Sequence, residues 1–315
     1  MLLAYATRRV LAAVPVLLIV ALVTFLLMSL VPGDPALVLL GDSATAESVA
    51  RLRAELGLDQ PAVVRFLSWF GGVLRGDLGQ SIFLSDPVAT IIAKRGLVSL
   101  TLAVVAQAVA IVLGIALGVV AALRRGRWTD RLLSTAAVAG IALPNFVVAI
   151  VLVAFFAVRL RWFPATGFVA PWDDLGRSLA TLALPVAALA FKQAALIARM
   201  MRGSMVEVLD SEYVLAASAR GLSRVRRVVR HALPNALGPT VTVIGVGFGS
   251  LVTGTVIVEV VFGIPGLGQL LIDGVRTRDI VLLQGLMLTI TAVYVAVTLV
   301  TDIVQAWVNP RVKLS

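Results

Sequence analysis

The sequence predicts an all-α integral membrane protein with six membrane-crossing helices, and three observations carry that prediction. Hydrophobic residues make up 60% of the 315 and charged residues only 14%, where a soluble domain carries about 45–50% and about 25%. Mean hydropathy is +1.02, leaving too little polar surface to cover a folded chain in water. Six apolar stretches reach or approach the roughly 20 residues that cross about 30 Å of hydrocarbon at 1.5 Å per helical residue. Arginine and lysine, finally, collect in alternate loops between those stretches.

The first stretch runs from Arg9 to Asp34 and carries Pro15 near its start. Its apolar run from Val10 to Val31 exceeds the usual 7–15 residues of a signal-peptide core and ends without an Ala-x-Ala site, so a retained helix is expected. The loop from 32 to 95 looks soluble. Within it Thr45–Leu56 reads as an amphipathic helix, with Val49, Leu52 and Leu56 on one face and Gly57 just past its end. Asp59-Gln60-Pro61 opens a second helix whose stripe is Val63, Phe66, Leu67, Phe70 and Leu74. That loop is either a cover for the bundle or a surface that receives something from outside. The remaining spans lie between Arg95 and Arg124, Arg131 and Arg159, Arg177 and Arg199, His231 and Glu259, and Asp279 and Asp302.

An even number of spans puts both termini on one side. If that side is inside, the inner segments hold Arg8, Arg9, Arg124, Arg125, Arg127, Arg131, Arg199, Arg202, Arg220, Arg224, Arg226, Arg227, Arg230, Arg311 and Lys313, whereas the short outer loops hold only Arg159, Arg161, Arg177, Arg276 and Arg278. The positive-inside rule therefore predicts cytoplasmic termini. It also accounts for the net charge of +10 without nucleic acid.

Stand-alone chemistry is poorly supplied. With no Cys and a single His231, neither a thiolate site, a His cluster nor a catalytic dyad is available. Lys94, Lys192 and Lys313 each lack a preceding Gly, so there is no P-loop. A secondary transporter would need paired intramembrane acids, yet 9–31 and 95–124 contain none.

Between the fourth and fifth spans, 199–236 is too long for a turn. Ser211 is placed to cap a helix from Glu212 through Tyr213, Leu215, Ala216 and Ala217 to Arg220, which Gly221 breaks. A second, arginine-rich helix starts near Ser223 and is expected to stop at Leu233-Pro234. The result is a knob of small Ala and Ser side chains with a basic rim, either a positive anchor that is helical or a docking surface for an acidic partner.

Ala216-Ala217 with Gly221, followed by His231-Ala232-Leu233-Pro234, resembles the EAA loop of ABC importer permeases. The family's acidic first position is Leu215 here. The likeness extends through Val31-Pro32-Gly33-Asp34-Pro35, Arg75-Gly76-Asp77-Leu78-Gly79-Gln80-Ser81, Leu143-Pro144-Asn145-Phe146, Phe163-Pro164-Ala165-Thr166-Gly167, Glu259 to Gly268, and Asn309-Pro310-Arg311, where the family usually has Asp at the first position. The order of these fragments and the long outer loop resemble the B-type permease of the dipeptide, oligopeptide and nickel branch.

The resemblance implies a type I ABC importer permease fold. It divides the chain into 1–31 (N-terminus and first helix), 32–95 (extracytoplasmic helical loop) and 96–315 (a five-helix core with coupling loop 199–236). It implies a bacterial cytoplasmic (inner) membrane location, a homologous second permease, two ATPase subunits and an extracytoplasmic substrate-binding protein. ATP and Mg would bind to the ATPases, with no cofactor or metal on this chain and no catalysis by it. The cargo implied is a di- or oligopeptide; a nickel chelate, an opine or a sugar fits the same architecture, with a stand-alone secondary carrier as the rival class. Coupling would fall to Tyr213, Leu215, Ala216, Ala217, Arg220, Gly221, His231, Leu233 and Pro234. Asn145, Lys192 and Gln193 are candidates for the pathway, with helix–helix bonding the alternative for both amides. Lys192, seven residues before Arg199, either faces a cavity or snorkels to the headgroups. Pro144, Glu259, Pro265 and Gly266 are candidates for gating or for a structural turn. Gly245, Gly247 and Gly249 are read as helix-packing positions.

Overall fold

The computed structural model describes residues 2–30, 35–41, 44–55 and 57–308. Val31 to Asp34, Leu56 and the Asn309-Pro310-Arg311 fragment lie outside the described residues. The described chain is helical, with a single isolated bridge between Gln80 and Pro87 in place of any strand. In order, the helices are α1 (Leu2–Leu30), α2 (Pro35–Leu40), α3 (Ala46–Glu55), α4 (Ala62–Leu74), α5 (Val88–Leu123), α6 (Trp128–Ala142), α7 (Asn145–Leu152), α8 (Leu175–Leu209), α9 (Glu212–Ala219), α10 (Arg224–Arg226), α11 (Leu233–Phe262), α12 (Leu267–Thr277) and α13 (Ile280–Val308). Wide π-helical turns extend α7 (Val153–Arg159) and join α10 to α11 (Arg227–Ala232).

Among the described residues four helices are long and apolar enough to cross a membrane: α5, α8, Arg224–Phe262, and Ile280–Thr301 within α13. The third predicted span is not one rod. Pro144 has no N–H to donate and disfavours helical backbone at the residue before it, so Leu143 is extended at φ −77°, ψ 127°. The segments Trp128–Ala142 and Asn145–Arg159 meet at 105°. α1 supplies the sixth apolar helix, Val14–Leu26 being its described apolar stretch.

The chain divides into two compact units, one built on Val98–Pro265 with the chain from Val297 on, the other on Leu3–Leu97 with Gly266–Ala296. In the first, Leu102, Leu182, Leu189, Val258 and Phe262 are buried in one cluster. α5 meets α8 through Gly114 and Gly118, whose small-x-x-x-small spacing allows backbones to approach closely in lipid, where apolar burial no longer drives association. A Cβ at Gly118 would stand 2.7 Å from the Ala198 carbonyl oxygen. Gly245 packs on Thr301 and Gly247 on Gln193, the role expected of both glycines.

In the second unit, Val88, Ile91 and Ile92 pack with Leu270, Leu282 and Leu286. α3 begins with Thr45 and Ser48 capping each other reciprocally at 2.9 and 3.1 Å, and Gly57 turns the chain at φ +64°. Along α4, Phe66, Trp69 and Phe70 form an aromatic row, and Phe66 stands edge-on to Phe25 of α1 at 5.4 Å. Val63, Leu67 and Leu74 of the same helix stay exposed.

Candidate functional site

The loop after α8 builds the projecting element from its own sequence. Ser211 takes the N-cap position of α9 with extended backbone, but its hydroxyl donates back to the Val208 carbonyl instead of capping the helix. α9 ends after Ala219, where Gly221 turns at φ +77°, bringing the amides of Gly221 and Leu222 to the carbonyls of Ser218 and Ala217 at 3.0 and 3.2 Å. Of its side chains, Val214 and Ala217 are buried. Tyr213, Leu215 and Ala216 are exposed, as are Arg220 and Gly221 beyond the helix.

Ala217 therefore departs from the expected small-residue knob. It lies three residues after Val214 on the inward face, while Ala216 and Ser218 point out. Nearby, Met201 and Met205 of α8 are buried in one cluster with Ala122, Val228, Ala232 and Ala236. Two arginines fasten the element by polar contacts, Arg227 donating to Ser218 Oγ at 2.6 Å and Arg224 to the Leu123 carbonyl at 3.0 Å.

The second helix of this loop does not stop at Leu233-Pro234. Leu233 is helical at φ −57°, ψ −48°, and the chain runs without a break into α11. Proline inside a helix normally clashes with the carbonyl four residues back; here the π turn over Arg227–Ala232 widens the helix just before it. The His231 carbonyl accepts from Asn235 Nδ2 at 2.8 Å and from Tyr213 OH at 3.5 Å. His231 thus acts through its backbone as a point where α9 touches the start of α11.

Asn145, Lys192 and Gln193 differ in exposure. Lys192 is exposed, whereas the next residue, Gln193, is buried with its Nε2 unpartnered and packed on Gly247. Asn145 opens α7 at the bend; its Oδ1 is buried without a partner, and its Nδ2 lies beside Gly254 of α11. Gln107 of α5 joins them on α11, donating to the Ile244 carbonyl at 3.3 Å. Three amides thus reach α11 through its small residues or its backbone, and Gln107 was not singled out from sequence because one Gln in an apolar run has no pattern.

Pro144 makes the bend. Glu259 is fully buried in the last turn of α11, which ends at the left-handed Gly263 with the Ile264 amide on the Glu259 carbonyl at 2.8 Å. The Gly167 amide donates to the Phe262 carbonyl at 3.0 Å, so two motifs nearly a hundred residues apart interlock. After Pro265, Gly266 holds the N-cap position of α12 with ordinary extended backbone.

The Arg75-to-Ser81 motif is a clamp that sequence reading left unexplained. Asp77 Oδ1 accepts from the Gly79 amide at 2.8 Å, and Gly79, at φ +84°, has room for no Cβ because Val281 Cγ1 would lie 2.7 Å from it. Ser81 Oγ donates to Asp279 Oδ2 at 2.5 Å, and the same carboxylate accepts from the amides of Phe83 (3.2 Å) and Leu282 (3.0 Å). Both residues are buried, Ser81 2% and Asp279 1% exposed, so the carboxylate is held by directed donors instead of water. The signal available was Asp279 immediately before an apolar run, an N-cap pattern for α13.

A bent, small-residue helical bundle with a projecting α9 defines a membrane transport subunit of the type I importer fold. Solved structures share that fold: a chain of the MetNI methionine ABC transporter in an inward-facing conformation aligns with TM-score 0.58 at 18% identity, covering 70% of this chain and 96% of that one. A chain of an amino acid ABC transporter aligns with TM-score 0.51 at 16% identity, covering 71% and 94%. The chain belongs to the binding-protein-dependent transport system inner membrane component family, matched over 114–314, with the corresponding N-terminal family matched over 2–104. A relative from Brucella abortus (strain 2308), provisionally named a peptide transport system permease protein, is 43% identical over 97% of this chain and 98% of its own. The glutathione transport system permease protein GsiC of Salmonella typhimurium is 40% identical over 98% of both.

Proposed function

We propose that this chain is one of two permease subunits of an ATP-driven importer in the bacterial inner membrane, forming half of a pathway for peptides delivered by an extracytoplasmic binding protein. The names of its full-length relatives support peptide as the cargo class. The pattern of arginines supports cytoplasmic termini and a cytoplasmic α9. ATP and Mg belong to the partner ATPases, and this chain contributes no catalytic group.

The observation that carries the coupling role is the two-faced α9. Val214 and Ala217 anchor it while Tyr213, Leu215 and Ala216 remain exposed, with Arg220 at its end. A partner that grips the outward face moves α9, and α9 touches the start of α11 through His231. Closure of the ATPases then biases one of two packings of the bundle, which is what alternating access requires. Leu233 and Pro234 continue the helix from the loop into α11. In the bundle, Asn145 and Gln193 hold α11, and exposed Lys192 is the side chain available to meet a peptide carboxylate.

The test is uptake by proteoliposomes holding the complete transporter. Leu215→Asp and Ala216→Trp alter only exposed positions, so both proteins should assemble while ATP-driven uptake falls at least about tenfold. Normal uptake in both would refute the docking role. Cargo is tested separately, by competition of labelled peptide uptake with unlabelled peptides against nickel chelates, opines and sugars.

A further inference from the structure

A groove of about 450 Å³ runs between α5, α6 and α8. Its walls are almost wholly apolar, from Leu113 and Leu117 on α5, Ala136 and Ala137 on α6, and Phe191 and Ala195 on α8. Along α8 the lining extends from Ala187 to Arg202, about 22 Å at 1.5 Å per residue, enough to run through one leaflet of a bilayer. Its only charged lining residues, Arg199 and Arg202, stand at one end, with Ser134 beside them.

The two arginines differ. Arg202 is committed to Asp130, with Nε at 2.5 Å from one carboxylate oxygen and Nη2 at 2.9 Å from the other. Asp130 is further occupied by the Gly126 amide at 3.0 Å and Ser134 Oγ at 3.3 Å. That pair is internally neutral. Arg199 is exposed and makes no ion pair among the described residues. The mouth of an apolar slot is therefore positive.

We propose that this groove binds one acyl chain of an anionic phospholipid, with the phosphodiester on Arg199. A slot walled by Ala and Leu at membrane depth has no use for water, which needs two to four polar partners, and a hydrocarbon chain restores the contacts that an empty slot forfeits. A protein helix packed over the same mouth would have to bring an acid to Arg199 or leave its charge buried and uncompensated. A phosphodiester supplies the compensating charge at the end where the groove is basic. A zwitterionic lipid carries that phosphate beside a cation, which lowers its advantage.

The chain has no native cysteine, so Ala136→Cys carries a single thiol on which a bimane fluorophore can be placed without filling the slot. The labelled chain is assembled with its partner subunits and reconstituted in nanodiscs, and chain-labelled doxyl phosphatidylglycerol is compared with doxyl phosphatidylcholine as quencher. The expected result is about fivefold tighter quenching by the anionic lipid, the size of one arginine's contribution at an anionic surface. Arg199→Gln should abolish the preference and Arg199→Lys should retain it. Equal quenching by the two lipids would mean annular lipid only and would overturn the proposal. Absence of quenching by either lipid in the assembled transporter would overturn it in favour of a protein helix covering the groove.

Discussion

Two loops of this protein end in similar sequence features, a turn with glycine and a short polar run, and use them in opposite ways. Between Asp77 and Ser81 the polar side chains turn inward: Ser81 and the Asp279 it meets are buried, and the backbone amides around them are consumed. Around Gly221 the polar and aromatic side chains turn outward, and only Val214 and Ala217 are spent on packing. A motif of the first kind is retained by what it satisfies within the chain. A motif of the second kind makes a few polar contacts within the chain, Ser218 with Arg227 and Tyr213 with the His231 carbonyl, and leaves Leu215, Ala216 and Arg220 exposed. The difference separates fold-holding motifs from partner-facing ones, although both look alike as strings of letters.

The comparison is sharpest where a substitution should cost stability in one loop and function in the other. Asp279→Ala leaves the Ser81 hydroxyl and two amides without their acceptor, and should lower stability by about 3–5 kcal/mol, read as loss of the folded fraction in detergent thermal unfolding. Gly79→Leu forces a side chain into a left-handed position against Val281 and should cost about 2–4 kcal/mol by the same assay. Ala217→Glu buries an unpaired carboxylate on the inner face of α9, with a penalty of about 2–3 kcal/mol and faster proteolysis in the 199–236 loop. Ala216→Trp, one residue away, should change stability by no more than about 0.5 kcal/mol yet abolish most ATP-driven uptake. Tyr213→Phe removes one long hydrogen bond to the His231 carbonyl and should stay within about 0.5 kcal/mol. If Ala216→Trp proved as destabilising as Ala217→Glu, α9 would have no outward face and the contrast between the loops would collapse.

Much of the fold was legible because hydropathy and charge act locally. The six apolar stretches needed only counting, and α3, α4 and α9 declared themselves through periodicity and through Gly57 and Gly221. Four features were not legible, each for a reason of distance or degree. The 105° bend at Pro144 was a candidate, but proline alone does not say whether neighbours will absorb a kink or a break. The continuity of the helix through Pro234 depends on a π turn, whose signal in sequence is weak. The Ser81–Asp279 contact joins residues 198 apart, and no local pattern pairs them. The same holds for the inward side of α9, where only the surrounding core decides that Ala217 and not Ala216 is covered.

The uninterrupted helical path from Arg224 to Phe262 has a mechanical meaning. Thirty-nine residues at 1.5 Å each make a rod close to 58 Å long, with α9 touching one end and the Gly263 turn at the other. Had Pro234 ended a helix, a push on α9 would have been lost in a flexible joint. The π turn instead inserts about one extra residue into the count, which rotates the arginine-bearing end by roughly 100° about the axis without cutting the shaft. The two ends of the same helix are therefore joined without a break, with a fixed offset in phase between them.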